Sequence, residues 1–287
     1  MAADERRQYA PHELAVVLKA VEELGFPCTV IGGQAVNCWA GLFLPRDRAL
    51  QRFSELTPFV SKDIDFHGDR QAVRDLARKL GSRAELPRLR ETFGTLLAGK
   101  LCAAAANAAV SVEVLHTIPG FEVRNLQRFT VRERIGNVVV QLLDPIGVLQ
   151  AKAWNVVHIR KEGRRDKEQF LVMVAVVRAY LRQIVKQCRQ GELPLRAFFS
   201  TLERVLSFAE SPAGRKVAQA IGLNWNLILP QPEIDTAVES EMAALREKRL
   251  PRWRRRVGQH RLVVPDSELH RKLLDILAET ARPSVTS

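Results

Sequence analysis

The chain contains no apolar run long enough to cross a membrane. A spanning helix needs roughly 20 such residues, and the candidate at residues 170–177 is short and closed by Arg178. The opening residues, Met1 to Arg7, lack the apolar stretch of a signal peptide, so a cytoplasmic protein with no membrane partner is expected. Cysteine is scarce. Cys28, Cys38, Cys102 and Cys188 are scattered, with no CxxC pair and no histidine at zinc spacing, which argues against a zinc module. Three of them sit among apolar neighbours and are expected as buried, reduced thiols. There is no internal repeat, and only residues 103–109 approach low complexity.

Acid is also in deficit. Lys plus Arg number 44 against 32 Asp plus Glu, a net charge of +12, with a pI near 10.1. Such a balance favours polyanionic partners: RNA, DNA, nucleotides or an acidic protein. A merely soluble basic protein is the plain alternative. The 287 residues suffice for one large domain or two ordinary ones, and a 46% hydrophobic fraction supports a real core.

Period and punctuation suggest an α+β chain. Apolar residues at helical spacing mark a helix over 11–24, stopped by Gly25. A short buried strand over 28–31 runs into Gly32-Gly33, with a tight-packing helix over 34–42. Residues 43–60 read as a loop with a short helix. A strand carries Asp63-Ile64-Asp65, and an amphipathic helix over 69–80 is capped by Asp69. Strands over 95–101 and 110–115 form a hairpin across an alanine-rich turn, and two more lie at 129–133 and 138–142. Beyond Asp144-Pro145 the pattern is nearly all helical, over 146–159, 167–190, 195–209, 214–221, 232–248 and 267–280. The expected division is 1–145, a mixed sheet flanked by helices, and 146–287, an all-helical domain. Trp39 and Trp154 are expected in the core.

The pair Asp63 and Asp65 carries the chemistry. Alternation along a strand sets both carboxylates on one side while Ile64 points into the core. Two carboxylates that close repel unless a cation lies between them. Mg²⁺ favours one or two carboxylates plus substrate phosphates. Upstream, Gly32-Gly33 before a helix lets backbone amides approach a phosphate.

The order Gly32-Gly33-Gln34-Ala35, then Asp63-Ile64-Asp65, then Val112-Glu113-Val114 resembles the DNA polymerase β-type nucleotidyltransferase superfamily. Farther on, Asp144-Pro145 through Lys152, then Gly163-Arg164-Arg165-Asp166, is similar to the AbiEii/AbiGii toxin branch. The resemblance implies a nucleotidyltransferase-like sheet and transfer of NMP from an NTP to an acceptor hydroxyl. It implies Asp63, Asp65 and Glu113 as ligands to Mg²⁺ or Mn²⁺, with Glu113 helping to activate the hydroxyl. Gly32, Gly33, the Gln34 side chain and Lys62 would steady the nucleotide. Lys152 would neutralise triphosphate charge, and Arg165 and Asp166 would orient it or bind the second substrate. Residues 43–60 become a substrate-facing insertion, and the branch implies an antitoxin partner.

Two further features stand outside that set. His67, just after the acidic strand, is a candidate substrate contact. Residues 246–256 hold seven basic residues around Trp253, a composition suited to phosphate contacts with base stacking. RNA, including a tRNA end, is the favoured acceptor, beside a protein hydroxyl. The alternatives are transfer to a small antibiotic-type acceptor and a non-catalytic RNA binder on the same fold.

Overall fold

Leu14, Val17, Leu18 and Val21 recur at helical spacing and are buried. They anchor a 3-10 turn, Pro11–Leu14, that runs into α1, Ala15–Glu23. The computed structural model describes residues 7–88, 95–105, 108–121, 123–159, 164–236, 240–257 and 267–281. Two compact units result: Met1–Leu42 with Phe59–Ala151, and Phe43–Pro58 with Lys152–Ser287.

In the first unit β1, Thr29–Ile31, leads into α2, Gly32–Phe43, which takes in both glycines. Then, after α3, Arg48–Leu56, of the other unit, come β2, Asp63–His67, and α4, Arg70–Lys79. The expected cap is present: Asp69 accepts from the Ala72 amide at 2.8 Å. Two hairpins complete the sheet, β3 Leu97–Ala105 with β4 Ala108–Leu115, and β5 Thr130–Ile135 with β6 Val138–Leu143. The alanines expected in a turn belong largely to strands. Ala103, Ala105 and Ala109 are buried there, small enough to let the hairpin pack closely; residues 106–107 lie outside the described set.

The sheet has the order β3-β4-β2-β1-β6-β5. It is mixed: β2 runs parallel to β4, and β1 parallel to β6, while β1 and β2 are antiparallel. One face is apolar, with Ile64, Phe66, Val112 and Val114 fully buried. Helices α1 and α4 cover that side: the Val73 side chain of α4 approaches Gly99, which pairs with Val114, and Lys79 of α4 bridges Glu23 of α1. Trp39 is buried, its indole donating to the Leu143 carbonyl.

The second unit is helical in its described residues. Residues 43–60, read as a loop with a short helix, contain α3, Arg48–Leu56, capped by Asp47. α5, Pro145–His158, begins in the first unit and continues into the second; it is started by Asp144, whose carboxylate accepts from Gly147, with proline at its first position. α6, Asp166–Arg189, is buried at consecutive positions from Phe170 to Ala179, as a helix enclosed on all sides must be. Helices α7, Leu195–Glu210, α8, Pro212–Ile221, and α9, Gln231–Asp235, follow.

The single helix expected over 232–248 is interrupted. After α9 the chain resumes as α10, Ser240–Ala244, a π turn at Leu245–Arg249, and α11, Leu250–Val257. α12, Glu268–Ala281, closes the chain's described part. The fully buried Arg178 of α6 ties α12 to the 3-10 turn Trp225–Ile228. It donates to the carbonyls of Leu227 and Leu277 and to the Thr280 hydroxyl, and burial draws its pKa down to about 10. Trp154 is only half-buried, stacked on His158. Cys28 and Cys38 are buried and their thiols pushed up to about 12 by burial, whereas Cys102 and Cys188 are partly exposed.

Candidate functional site

Strand alternation makes an acidic surface on the face of the sheet opposite α1 and α4. On β2, Asp63, Asp65 and His67 are half-buried while Ile64 and Phe66 are enclosed. Glu113 of β4 lies in parallel register with Asp65, and Lys100 of β3 is the antiparallel partner of Glu113. Paired residues share a face, so the row Asp65, Glu113, Lys100 runs across three strands. β4 is an interior strand, between β3 and β2, and this is what brings Glu113 beside the pair.

The electrostatics agree. Burial and then the charge of Asp63 push the Glu113 carboxyl above its ordinary range, with Lys100 acting in the opposite direction. Ser61 donates its hydroxyl to Asp63 at 3.2 Å. Lys100 and Ser61 carry no signal in the sequence; only the strand register and the chain's turn into β2 bring them here.

Gly32 explains why the glycine pair precedes the acids. Its φ is +64°, a left-handed value that favours glycine. A Cβ there would stand 2.0 Å from Oδ2 of Asp65. The Asp65 carboxylate therefore rests directly on the first turn of α2, the positive end of that helix. Gly33 is buried in the same turn.

Gln34 requires a correction. Its side chain, expected to steady phosphates, is 1% exposed, donates to the Tyr9 carbonyl at 2.9 Å and accepts from Asn37. It is spent on holding the N-terminal segment, because an amide buried in the helix's inner face must be satisfied there. Lys62 is exposed in the bend before β2, with no side-chain partner among the described residues.

Lys152, Arg165 and Asp166 belong to the second unit and form their own cluster. Lys152, 4% exposed, lies 3.3 Å from Asp166. Asp166 also accepts from Asn155 and Arg164. Burial pushes its carboxyl up, but Arg164, Lys152 and Asn155 outweigh that and hold it below the ordinary range. The Lys152 ammonium, expected on a triphosphate, is thus engaged within the protein. Asp166 is the first residue of α6 and not its cap, a position held by Arg165. Arg165 in turn donates to the Thr57 hydroxyl and the Pro58 carbonyl, fastening the end of the 43–58 segment. Gly163 lies outside the described residues.

The basic segment is also altered by folding. Trp253 is fully buried and donates to the Leu206 carbonyl at 3.2 Å, so it offers no face for a base. Arg249 and Arg256 pair with Glu203 and Glu210, and Arg254 binds Asn226 and Gln231. Lys248, Arg252 and Arg255 remain exposed.

Among the described residues no three His, Cys, Asp or Glu form a group able to hold a metal ion by themselves. Mg²⁺ asks for less, one or two carboxylates completed by water and phosphate oxygens. The oxygen donors of Asp63 and Asp65 suit such a hard cation, with Glu113 as a neighbouring acid. Nor is any helix among these residues long and apolar enough to cross a membrane.

No family model matches the chain, and no curated protein does. Among solved structures it is similar to the crystal structure of an antigenic nucleotidyltransferase-like protein from Paracoccidioides brasiliensis. The two share 11% identity with a TM-score of 0.37, over 64% of this chain and 93% of that one. A likeness so slight assigns neither fold family nor activity.

Proposed function

We propose that the chain is a nucleotidyltransferase of the DNA polymerase β type, moving NMP from an NTP to an acceptor hydroxyl with release of pyrophosphate. The observation that carries this is the single arrangement at β2: Gly32 in a left-handed conformation beneath the Asp65 carboxylate, with Asp63 on the same face and Glu113 in register beside them. A pure binder of polyanions gains nothing from clustered carboxylates.

In this reading the catalytic domain spans 1–145 and the helical domain 146–287. The amides of the first turn of α2, at Gly32 and Gly33, receive phosphate oxygens. Asp63 and Asp65 hold Mg²⁺ or Mn²⁺, which supplies charge neutralisation at the phosphates. Glu113 receives the hydroxyl proton as the acceptor oxygen bonds to the α-phosphorus and the bond to pyrophosphate breaks. The acceptor is RNA, a tRNA end included, or a protein hydroxyl. The finer kinship with AbiEii/AbiGii toxins, and an antitoxin partner with it, is supported only by Lys152 and Arg165-Asp166 and by the ion pair they contain.

The test is transfer of label from each α-³²P NTP, with Mg²⁺, into RNA, protein and aminoglycoside acceptors. Asp63→Ala with Asp65→Ala should lower transfer by about a thousandfold, several kcal/mol of lost transition-state stabilisation, and abolish Mn²⁺ binding. Undiminished transfer or unchanged metal binding in that variant would refute the assignment.

A further inference from the structure

A cavity of about 940 Å³ opens on the first unit next to the acidic row, lined by Phe26, Thr29, His67, Gln127, Arg132 and Gln141 among others. His67 is two residues beyond Asp65 on the same face of β2, a step of about 7 Å, and it pairs with Thr29 of β1. The cavity therefore begins two residue pairs along the sheet from Asp65, at the end of the strands opposite Gly32.

Its lining has three unusual features. Phe26 has φ +64° and is the one non-glycine residue with a positive φ among the described residues. Gly25, at φ +76°, already ends α1 in the left-handed form, donating to Glu22 while Phe26 donates to Val21. One such residue completes that cap, so the second is strain beyond the helix's need, in a bulky residue before Pro27 where it is disfavoured. The result is a ring placed under the Arg132 guanidinium, 4.2 Å from centroid to Cζ. Third, Nε2 of His67 is buried without a hydrogen-bond partner, an atom that a ligand can satisfy. Gln141 is steadied by donating to Thr29 and stands within reach of Arg132.

A planar cation laid on a ring presents a flat face to an aromatic heterocycle, the way bases are held in single-stranded nucleic acid. The amides of Gln127 and Gln141 and the imidazole of His67 supply edge contacts. Asp69 is the acid in the lining, and its carboxylate caps α4. A guanidinium with no free carboxylate disfavours polycationic acceptors such as aminoglycosides. In-line displacement also demands that attack and departure occur on opposite sides of the phosphorus. With pyrophosphate at the Gly32 end, the attacking hydroxyl arrives from the His67 end.

We propose that this cavity is the acceptor subsite and takes the terminal nucleoside of an RNA strand, its base against the Arg132–Phe26 stack and its ribose hydroxyl toward Asp65 and Glu113. The identification as acceptor subsite rests on the transferase reading; binding does not.

The experiment is fluorescence anisotropy of a 5′-labelled RNA pentanucleotide with a free 3′ hydroxyl, in EDTA and without NTP, on the full chain. Arg132→Ala should weaken binding about tenfold or more. Arg134→Ala removes the same charge two residues along β5, outside the cavity lining, and should bind like wild type. A 3′-phosphorylated pentanucleotide should bind more weakly than the hydroxyl form, because its end group meets the acidic row. Asp63→Ala with Asp65→Ala should keep the RNA while losing transfer, so a failed transferase and a failed subsite give different results. No binding by wild type, equal losses in Arg132→Ala and Arg134→Ala, or wild-type affinity in Arg132→Ala would overturn the proposal.

Discussion

Two acidic groups in this chain carry opposite signatures. Asp166, in the helical unit, is buried, yet its carboxyl is held below the ordinary range by Arg164, Lys152 and Asn155. Glu113, in the sheet unit, is half-buried and driven upward by burial and by the charge of Asp63. The first cluster has its carboxylate paired within the protein and acts as a fastening. The second concentrates like charge on one sheet face, a cost that packing alone does not require and that the cation of the proposed function would relieve. The lesson is that a charged residue's partners, more than its type or its place in a motif, separate framework from site.

The largest effect that sharpens this contrast is expected at Gly32. Gly32→Ala combines a left-handed conformation with a clash against Asp65. It should cost about 2–4 kcal/mol and remove transfer activity. Gly25→Ala meets the same backbone penalty in open space, φ +76° with nothing within 4 Å, and should cost about 1 kcal/mol. Urea unfolding of the two variants measures the difference; equal losses would mean that Asp65 does not press on the helix start.

Next in size is a difference of sign. Lys152→Met leaves Asp166 buried with fewer partners and should lower stability by about 2–3 kcal/mol at neutral pH. Glu113→Gln relieves repulsion and should leave stability unchanged or raise it by up to about 0.5 kcal/mol. The first loss should depend on pH. A carboxyl held low in the folded state stabilises fully above the unfolded value of about 4. That contribution disappears as pH falls through the folded value. Denaturation of Lys152→Met should thus approach wild type in strong acid, and a gap that persists there would mean that Lys152 acts through packing alone.

The smallest effect concerns the exposed basic residues. Lys248→Ala with Arg252→Ala and Arg255→Ala should weaken RNA binding a few-fold and flatten its dependence on salt, while NTP binding and stability stay unchanged. Affinity unaltered across the salt series would show that this surface does not meet RNA.

Much of the framework was legible because it depends on local pattern. The apolar period of α1, the cap at Asp69, the Asp144-Pro145 start of α5 and the alternation of Asp63-Ile64-Asp65-Phe66 all state their structure within a few residues. Legibility failed where partners are distant. Gln34 resembled a phosphate contact because its partner, the Tyr9 carbonyl, lies 25 residues away. Trp253 resembled a stacking platform within a basic run, but tertiary packing buries it against α7.

The sequence by itself determined the capped helix starts, the alternation of β2 and the glycine-then-aspartate order, since turns, caps and alternation are short-range properties of the chain. Tertiary structure alone decided that Glu113 stands in register with Asp65, that Lys152 closes on Asp166, and that Arg132 lies over Phe26. Those choices depend on strand order and helix packing. Both follow from burying one apolar face against another, which joins residues that no local spacing relates.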